Sequence, residues 1–237
     1  VRSWSHKTGR VHHLLSKLEF YFLLISEADP EVVDIREQYP IPVKISAACE
    51  ASFTGLRHPR LPGGIQTRVV MTTDFVLTKR VNGVNRFTAR NVKYLRDHNN
   101  PKTVEKLALE KRIWDESPPV GTAGDVDFGV FTEENVQGDY IRNLKWLRPA
   151  HRPGFLEGIE HQVPAVDKLL APLLASEADN FANVTDYADE LLGMESGSAL
   201  AIAKWLIAKR HWRVDLDERL VTTRPLRFID STYVPKS

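Results

Sequence analysis

A single cysteine, Cys49, among 237 residues excludes an internal disulfide and any zinc site built on cysteines. It reads as a small core residue. Long apolar runs are also missing. The longest, Phe20-Tyr-Phe-Leu-Leu-Ile25, falls far short of the roughly 20 residues that span a bilayer. No signal-peptide pattern is visible, although the sequence begins at Val1 rather than Met. Charge of one sign is lacking too: 32 Lys+Arg against 31 Asp+Glu leave a net +1. These absences favour the cytoplasm. What is present, 42% hydrophobic and 27% charged residues, is the composition of a globular protein with a substantial core.

The charge is uneven along the chain. Residues 1–150 hold 22 Lys+Arg and 18 Asp+Glu, a net of +4, and the rest hold 10 and 13, a net of −3. A modest basic excess in the first part is compatible with phosphate contacts.

Ser3 to Arg10 is polar and basic and is expected to be extended. From Val11, the apolar residues Val11, Leu14, Leu15, Leu18, Phe22 and Ile25 recur at helical spacing, up to the stop at Asp29-Pro30. Val32–Ile35 reads as a strand, and Leu56–Gly64 (LRHPRLPGG) as a loop in which His58 makes an ordering hydrogen bond. Asn100-Pro101 starts a helix, with Asn as cap and Pro in its first position. Val126–Thr132 is a strand, and Glu133-Glu134 opens a helix reaching Leu147. Helix, strand, hairpin, helix, strand and helix make a mixed α/β domain over 1–150, with Arg148–Gly154 as a linker. In 151–237, helices over Leu156–Leu174, Val184–Leu192 and Ser198–Arg210 precede strands at Trp212–Leu216 and Thr223–Ile229, the order of a winged-helix domain. Trp114 and Trp146 read as core.

The stretch VMTTDFVLTKRVNGVNRFTARNVKY, Val70 to Tyr94, reads as a β-hairpin with Asn82-Gly83 at its turn. A two-residue turn there sets Asp74 opposite Asn91, and a tip at Gly83-Val84 sets it opposite Lys93. Both registers put Asp74, Asn91 and Lys93 on one face. Glu19 sits at the edge of the apolar stripe of the first helix, where a carboxylate needs a partner. A cation side chain would provide one, and so would a metal. Two carboxylates and a backbone carbonyl suit Mg²⁺, a hard cation that prefers oxygen, and a nearby lysine can orient water or neutralise developing charge.

The surrounding words favour the metal. SHKTGRVHHLLSKLE (Ser5–Glu19), VVDIREQYPI (Val32–Ile41), His58-Pro59, MTTDF (Met71–Phe75), NVK (Asn91–Lys93) and VEKLALEKRIW (Val104–Trp114) occur in order. Together they resemble the TnsA family, the endonuclease subunit of heteromeric cut-and-paste transposases. The resemblance implies a restriction-endonuclease-like catalytic domain followed by a winged-helix-like, partner-binding domain. It implies hydrolysis at the transposon 5′ ends that leaves a 5′-phosphate and a 3′-hydroxyl. The implied partners are transposon-end DNA, a DDE transposase subunit (TnsB-like) and an AAA+ regulator (TnsC-like), with the protein on the nucleoid when assembled.

Carried over residue by residue, the catalytic groups are Glu19, Asp74 and Lys93. The metal ligands are Glu19, Asp74 and the Val92 carbonyl. Two Mg²⁺ ions are expected, bridged by Asp74, with Mn²⁺ able to substitute. The family commonly has Gln where this chain has the shorter Asn91, so Asn91 and Glu110 are secondary candidates; the plain reading of Glu110 is a solvated charge or a salt bridge. Lys7, Arg10, His12 and His13 are candidate phosphate contacts. Two alternatives stay open: a stand-alone repair or restriction-type nuclease, and an inactive adaptor of the transposase.

Overall fold

The first helix begins later than its apolar spacing suggests. Ser16-Lys17-Leu18-Glu19 is a capping box in the sequence, and helix α1 accordingly spans Lys17–Ala28, with Ser16 accepting from the Glu19 backbone N–H. Val11 lies instead in a short strand. Strands β1 (Arg2–Trp4) and β2 (Val11–His13) form a two-stranded antiparallel ribbon, with Trp4 opposite Val11 and Arg2 opposite His13. The computed structural model describes residues 1–52, 70–98, 100–117, 125–177 and 179–235; the loop reading at Leu56–Gly64, with His58, lies outside them.

The chain divides into two compact units, Val1–Val136 and Gln137–Ser237. The division falls before the helix ending at Leu147, not near residue 150, and Arg148–His151 is a 3₁₀ turn inside the second unit rather than a linker.

In the first unit, β3 (Val32–Ile41), α2 (Val43–Ser52), β4 (Met71–Val81), β5 (Val84–Val92), the single turn α3 (Leu95–His98), α4 (Pro101–Glu116) and β6 (Asp127–Phe131) follow in order. The sheet order is β3-β4-β5-β6. Pairings are antiparallel up to β5, and β5 runs parallel to β6. Asn82 and Gly83 both take positive φ (50° and 79°), as a two-residue hairpin turn requires. The resulting register pairs Phe75 with Arg90, the first of the two alternatives.

Helices cover both faces of the sheet. On one, Leu18, Phe22 and Leu23 of α1 pack on Ile35, Phe75, Leu77 and Val92. On the other, Trp114 of α4 packs on Val76, Phe87 and Ala89, while Leu109 and Ile113 pack on Ile41, Met71 and Cys49. Burial pushes the Cys49 thiol up to about 11, in keeping with an inert core residue.

The second unit holds α5 (Gly138–Leu147), α6 (Val163–Ala175), α7 (Phe181–Leu192), α8 (Ser198–Ala208), β7 (Trp212–Val214) and β8 (Phe228–Ser231). Leu170, Phe181, Ile202, Leu206 and Trp212 centre its core. Buried Asp189 accepts from the backbone N–H groups of Gly197 (2.6 Å) and Ala199 (2.7 Å), satisfying two donors that the first turn of α8 leaves unpaired. Helices ahead of a two-stranded ribbon match the order read from the sequence. Among the described residues no helix is long and apolar enough to cross a membrane.

Candidate active site

Strict alternation along β4 would send Thr73, Phe75 and Leu77 to one face of the sheet. Phe75 and Leu77 do pack on the α1 side. Thr73, however, donates to Glu110 of α4 (2.5 Å) and accepts from Trp114 Nε1 (3.0 Å), so it faces the other side. The neighbouring strand switches at the same level. Ile35 belongs to the α1 side and Ile41 to the α4 side, and Gln38 between them takes φ 48°, a rare conformation for a residue with a side chain. The pairings Glu37 with Phe75 and Tyr39 with Thr73 place this switch beside Asp74.

Asp74 is therefore turned out of the regular alternation. Its Oδ2 accepts the Val92 backbone N–H at 2.8 Å and Lys93 Nζ at 2.7 Å, so the carboxylate lies against the end of β5. Both hydrogen bonds that it accepts among the described residues use Oδ2, leaving Oδ1 for a further ligand. Asn91 does not join Asp74 and Lys93. Its amide N–H₂ donates to Glu110 Oε1 at 2.8 Å, which corrects the expectation of one shared face.

Glu19 reaches this corner from the start of α1. It is 5% exposed, and its two oxygens accept from the Leu15 N–H (2.9 Å) and Ser16 Oγ (3.2 Å). Burial raises its pKa and the Asp74 charge adds to that, while the Leu15 and Ser16 hydrogen bonds and the Lys93 charge pull the other way. A carboxylate pushed up by burial and by a second carboxylate gains from a cation placed between them.

Glu110 is neither a solvated charge nor a salt-bridged one. It is fully buried, held by Thr73 and Asn91, and burial raises its pKa. Among the described residues, Glu110 Oε2 and Asn91 Oδ1 have no hydrogen-bond partner.

Of the four candidate phosphate contacts, three are engaged within the fold. Lys7 Nζ donates to the carbonyls of Asp29 and Val32, binding the ribbon to the end of α1. Arg10 pairs with Glu37 through both terminal nitrogens (2.9 and 2.5 Å). His12, fully buried, lies 2.6 Å from Glu37 Oε2 and 2.9 Å from Thr8 Oγ1. Only His13 presents an exposed ring, its backbone N–H donating to Glu37. The sequence carried a signal for this cluster, the carboxylate of DIREQYP in the next strand, but not its pairing with the ribbon.

Burial acts to raise the Glu37 pKa, yet hydrogen bonds from Arg10, the backbone and His12 outweigh it and bring the carboxyl down to about 2. A depressed carboxyl contributes stability above its unfolded value near 4.5, and loses it as pH falls towards 2. Glu37→Gln should therefore melt below wild type at pH 6, with the gap narrowing below about pH 4.5. A gap that stays constant down to pH 3 would refute the pairing.

Two family models match the chain: "TnsA-like endonuclease N terminal" over residues 29–133 and "TnsA endonuclease C terminal" over residues 135–216. The junction between these two matches lies at the boundary between the two compact units. The Transposon Tn7 transposition protein TnsA of Escherichia coli is 32% identical over 208 residues, covering 87% of this chain and 70% of that protein. The chain belongs to the TnsA endonuclease family.

Proposed function

We propose that the protein is a metal-dependent DNA endonuclease that cuts the 5′ ends of a transposon, with Glu19, Asp74 and Lys93 as its catalytic residues. The observation that carries this reading is the convergence at one corner of the sheet: Lys93 and the Val92 N–H on Asp74 Oδ2, and the Glu19 carboxylate close enough to be perturbed by both Asp74 and Lys93. The relative's name, a transposition protein, supplies the biological setting.

The donor set fits Mg²⁺. No group of three or more His, Cys, Asp or Glu suited to a metal occurs among the described residues. Two carboxylates, the Val92 carbonyl and waters would instead form an all-oxygen shell, as Mg²⁺ prefers. When bound, Mg²⁺ offsets charge on the phosphoryl group and acidifies a water. Asp74 would hold and bridge the ions, with Mn²⁺ as a substitute, and Glu19 would hold one. Lys93, released from Asp74, would orient the attacking water or neutralise charge on the phosphate.

The first unit is read as a restriction-endonuclease-like domain. The second, with helices ahead of a short ribbon, is read as a winged-helix-like module that binds an AAA+ regulator. Tyr187 and Leu191 on α7 are 50% and 56% exposed, an apolar surface suited to a protein partner. A DDE transposase and transposon-end DNA complete the assembly, in the cytoplasm on the nucleoid. Calorimetric titration of Mg²⁺ or Mn²⁺ into wild type and Asp74→Ala, with end DNA present, tests the metal site. Binding in wild type that vanishes in the variant is expected. No binding in either protein, with the DNA held, would favour the adaptor.

A further inference from the structure

The β1–β2 ribbon has two unlike faces. Ser3, Ser5 and His12 are buried, whereas Arg2, Trp4, Val11 and His13 are exposed on the other side, Trp4 by 36% and Val11 by 46%. The exposed side runs on into Leu15, 77% exposed, and exposed Lys17. No acidic residue occurs from Val1 to Leu18. Among the described residues no carboxylate pairs with Arg2, and Lys17 Nζ stands 5.7 Å from the Tyr21 ring centroid. Lys7 is engaged by the carbonyls of Asp29 and Val32, and the exposed Arg10 by the Glu37 carboxylate. The exposed basic side chains that no carboxylate pairs among the described residues of this face are thus Arg2 and Lys17, with the His13 ring beside them.

We infer that this outer face is a DNA-positioning surface: the strand next to the cut lies across the ribbon, its phosphates on Arg2, His13 and Lys17 and its sugars and bases on Trp4, Val11 and Leu15. The inference rests on the nuclease reading and deepens it. Two features support it. The face carries positive charge suited to a polyanion, because among the described residues no carboxylate pairs with the Arg2 or Lys17 side chain. It is also continuous with the catalytic corner, because the backbone N–H of exposed Leu15 donates to Glu19 Oε2 at 2.9 Å. A strand held against Leu15 is delivered to the Glu19 carboxylate. Apolar side chains beside phosphate-binding cations are a recurrent means of gripping DNA where its bases are partly unstacked. Lys7, Arg10 and His12, each paired within the fold, become positioning residues that fix the ribbon to β3 and α1.

The test is binding of the full chain to a labelled duplex carrying a transposon 5′ end, followed by fluorescence anisotropy between 50 and 200 mM salt. Each phosphate contact contributes about 0.9 to the slope of log affinity against log salt. Arg2→Ala with Lys17→Ala should weaken binding at least about tenfold and reduce the slope by about 2. Leu15→Ala and Trp4→Ala should weaken binding with the slope unchanged. Leu15 is 77% exposed and lies outside the ribbon strands, so Leu15→Ala should keep the wild-type melting temperature and separates lost binding from lost folding.

Wild-type affinity and slope in all variants would overturn the inference; if cleavage by the assembled transposase were lost at the same time, the face would be a protein contact. A wild-type chain that binds no DNA overturns it as well. The nuclease reading fails separately, if Asp74→Asn still cuts.

Discussion

Asp74→Asn is expected to lower the single-turnover rate of 5′-end cleavage at least about 10³-fold while leaving the fold intact. The size follows from what the substitution removes. Loss of one well-placed electrostatic group in an active site typically costs 10²–10³, and Asp74 is here both the proposed bridging ligand and the partner of Lys93. The Asn side chain keeps an oxygen for the Val92 N–H, which now donates at 2.8 Å, so the β4–β5 junction stays satisfied. The negative charge facing Lys93 disappears. Lys93→Ala removes only the cation paired with Asp74 and should cost less, about 10²-fold. Cleavage of end DNA by the assembled transposase, together with thermal melts of each variant, decides the matter. An Asp74→Asn protein that cuts within tenfold of wild type would end the catalytic assignment.

Much of this corner could be read from the sequence because local rules fix it. Asn82-Gly83 sets the hairpin register, and Asn100-Pro101 sets the start of α4, with Asn100 accepting from the Lys102 N–H. The order of elements followed from periodicity. The start of α1 was legible too, in Ser16-x-x-Glu19, but apolar spacing alone drew the helix back to Val11. That spacing arose from a ribbon strand whose apolar residue faces outward, so periodicity could not separate it from a helical stripe.

The face switch at Asp74 was not legible. It occurs beside Gln38, a residue of another strand that takes a positive φ, and nothing in the residue types announces that. Regular alternation for this reason groups Asn91 with Asp74 and Lys93, whereas in the structure it pairs with Glu110. The pairing of Lys7 and Arg10 within the fold was hidden for a similar reason. A basic word reads as a surface until the carboxylate and carbonyls that take its charge are brought in from β3 and the end of α1.

The second large effect concerns Glu110, whose environment decides the sign of each substitution. Thr73 Oγ1 and the Asn91 amide both donate to Oε1, and Trp114 Nε1 donates on to Thr73, so three elements meet at one buried carboxyl. Glu110→Ala strands the Asn91 donor, at about 1–3 kcal/mol, and leaves a cavity under the sheet. A loss of about 3–5 kcal/mol is expected.

Glu110→Gln should behave differently. Its carbonyl oxygen can accept from both donors, and its amide removes the charge that burial disfavours. For an acid whose folded pKa is raised, the folded state prefers the protonated form. The penalty is absent well below the unfolded value near 4.5 and grows as pH rises to the folded value. Glu110→Gln should therefore gain on wild type between pH 4.5 and pH 8, while Glu110→Ala stays well below both. Urea denaturation at the two pH values reads this directly. If Glu110→Gln falls as far as Glu110→Ala, the carboxylate charge itself is needed by its neighbours. If it is stable but no longer supports cleavage, Glu110 acts on the metal site through more than its packing.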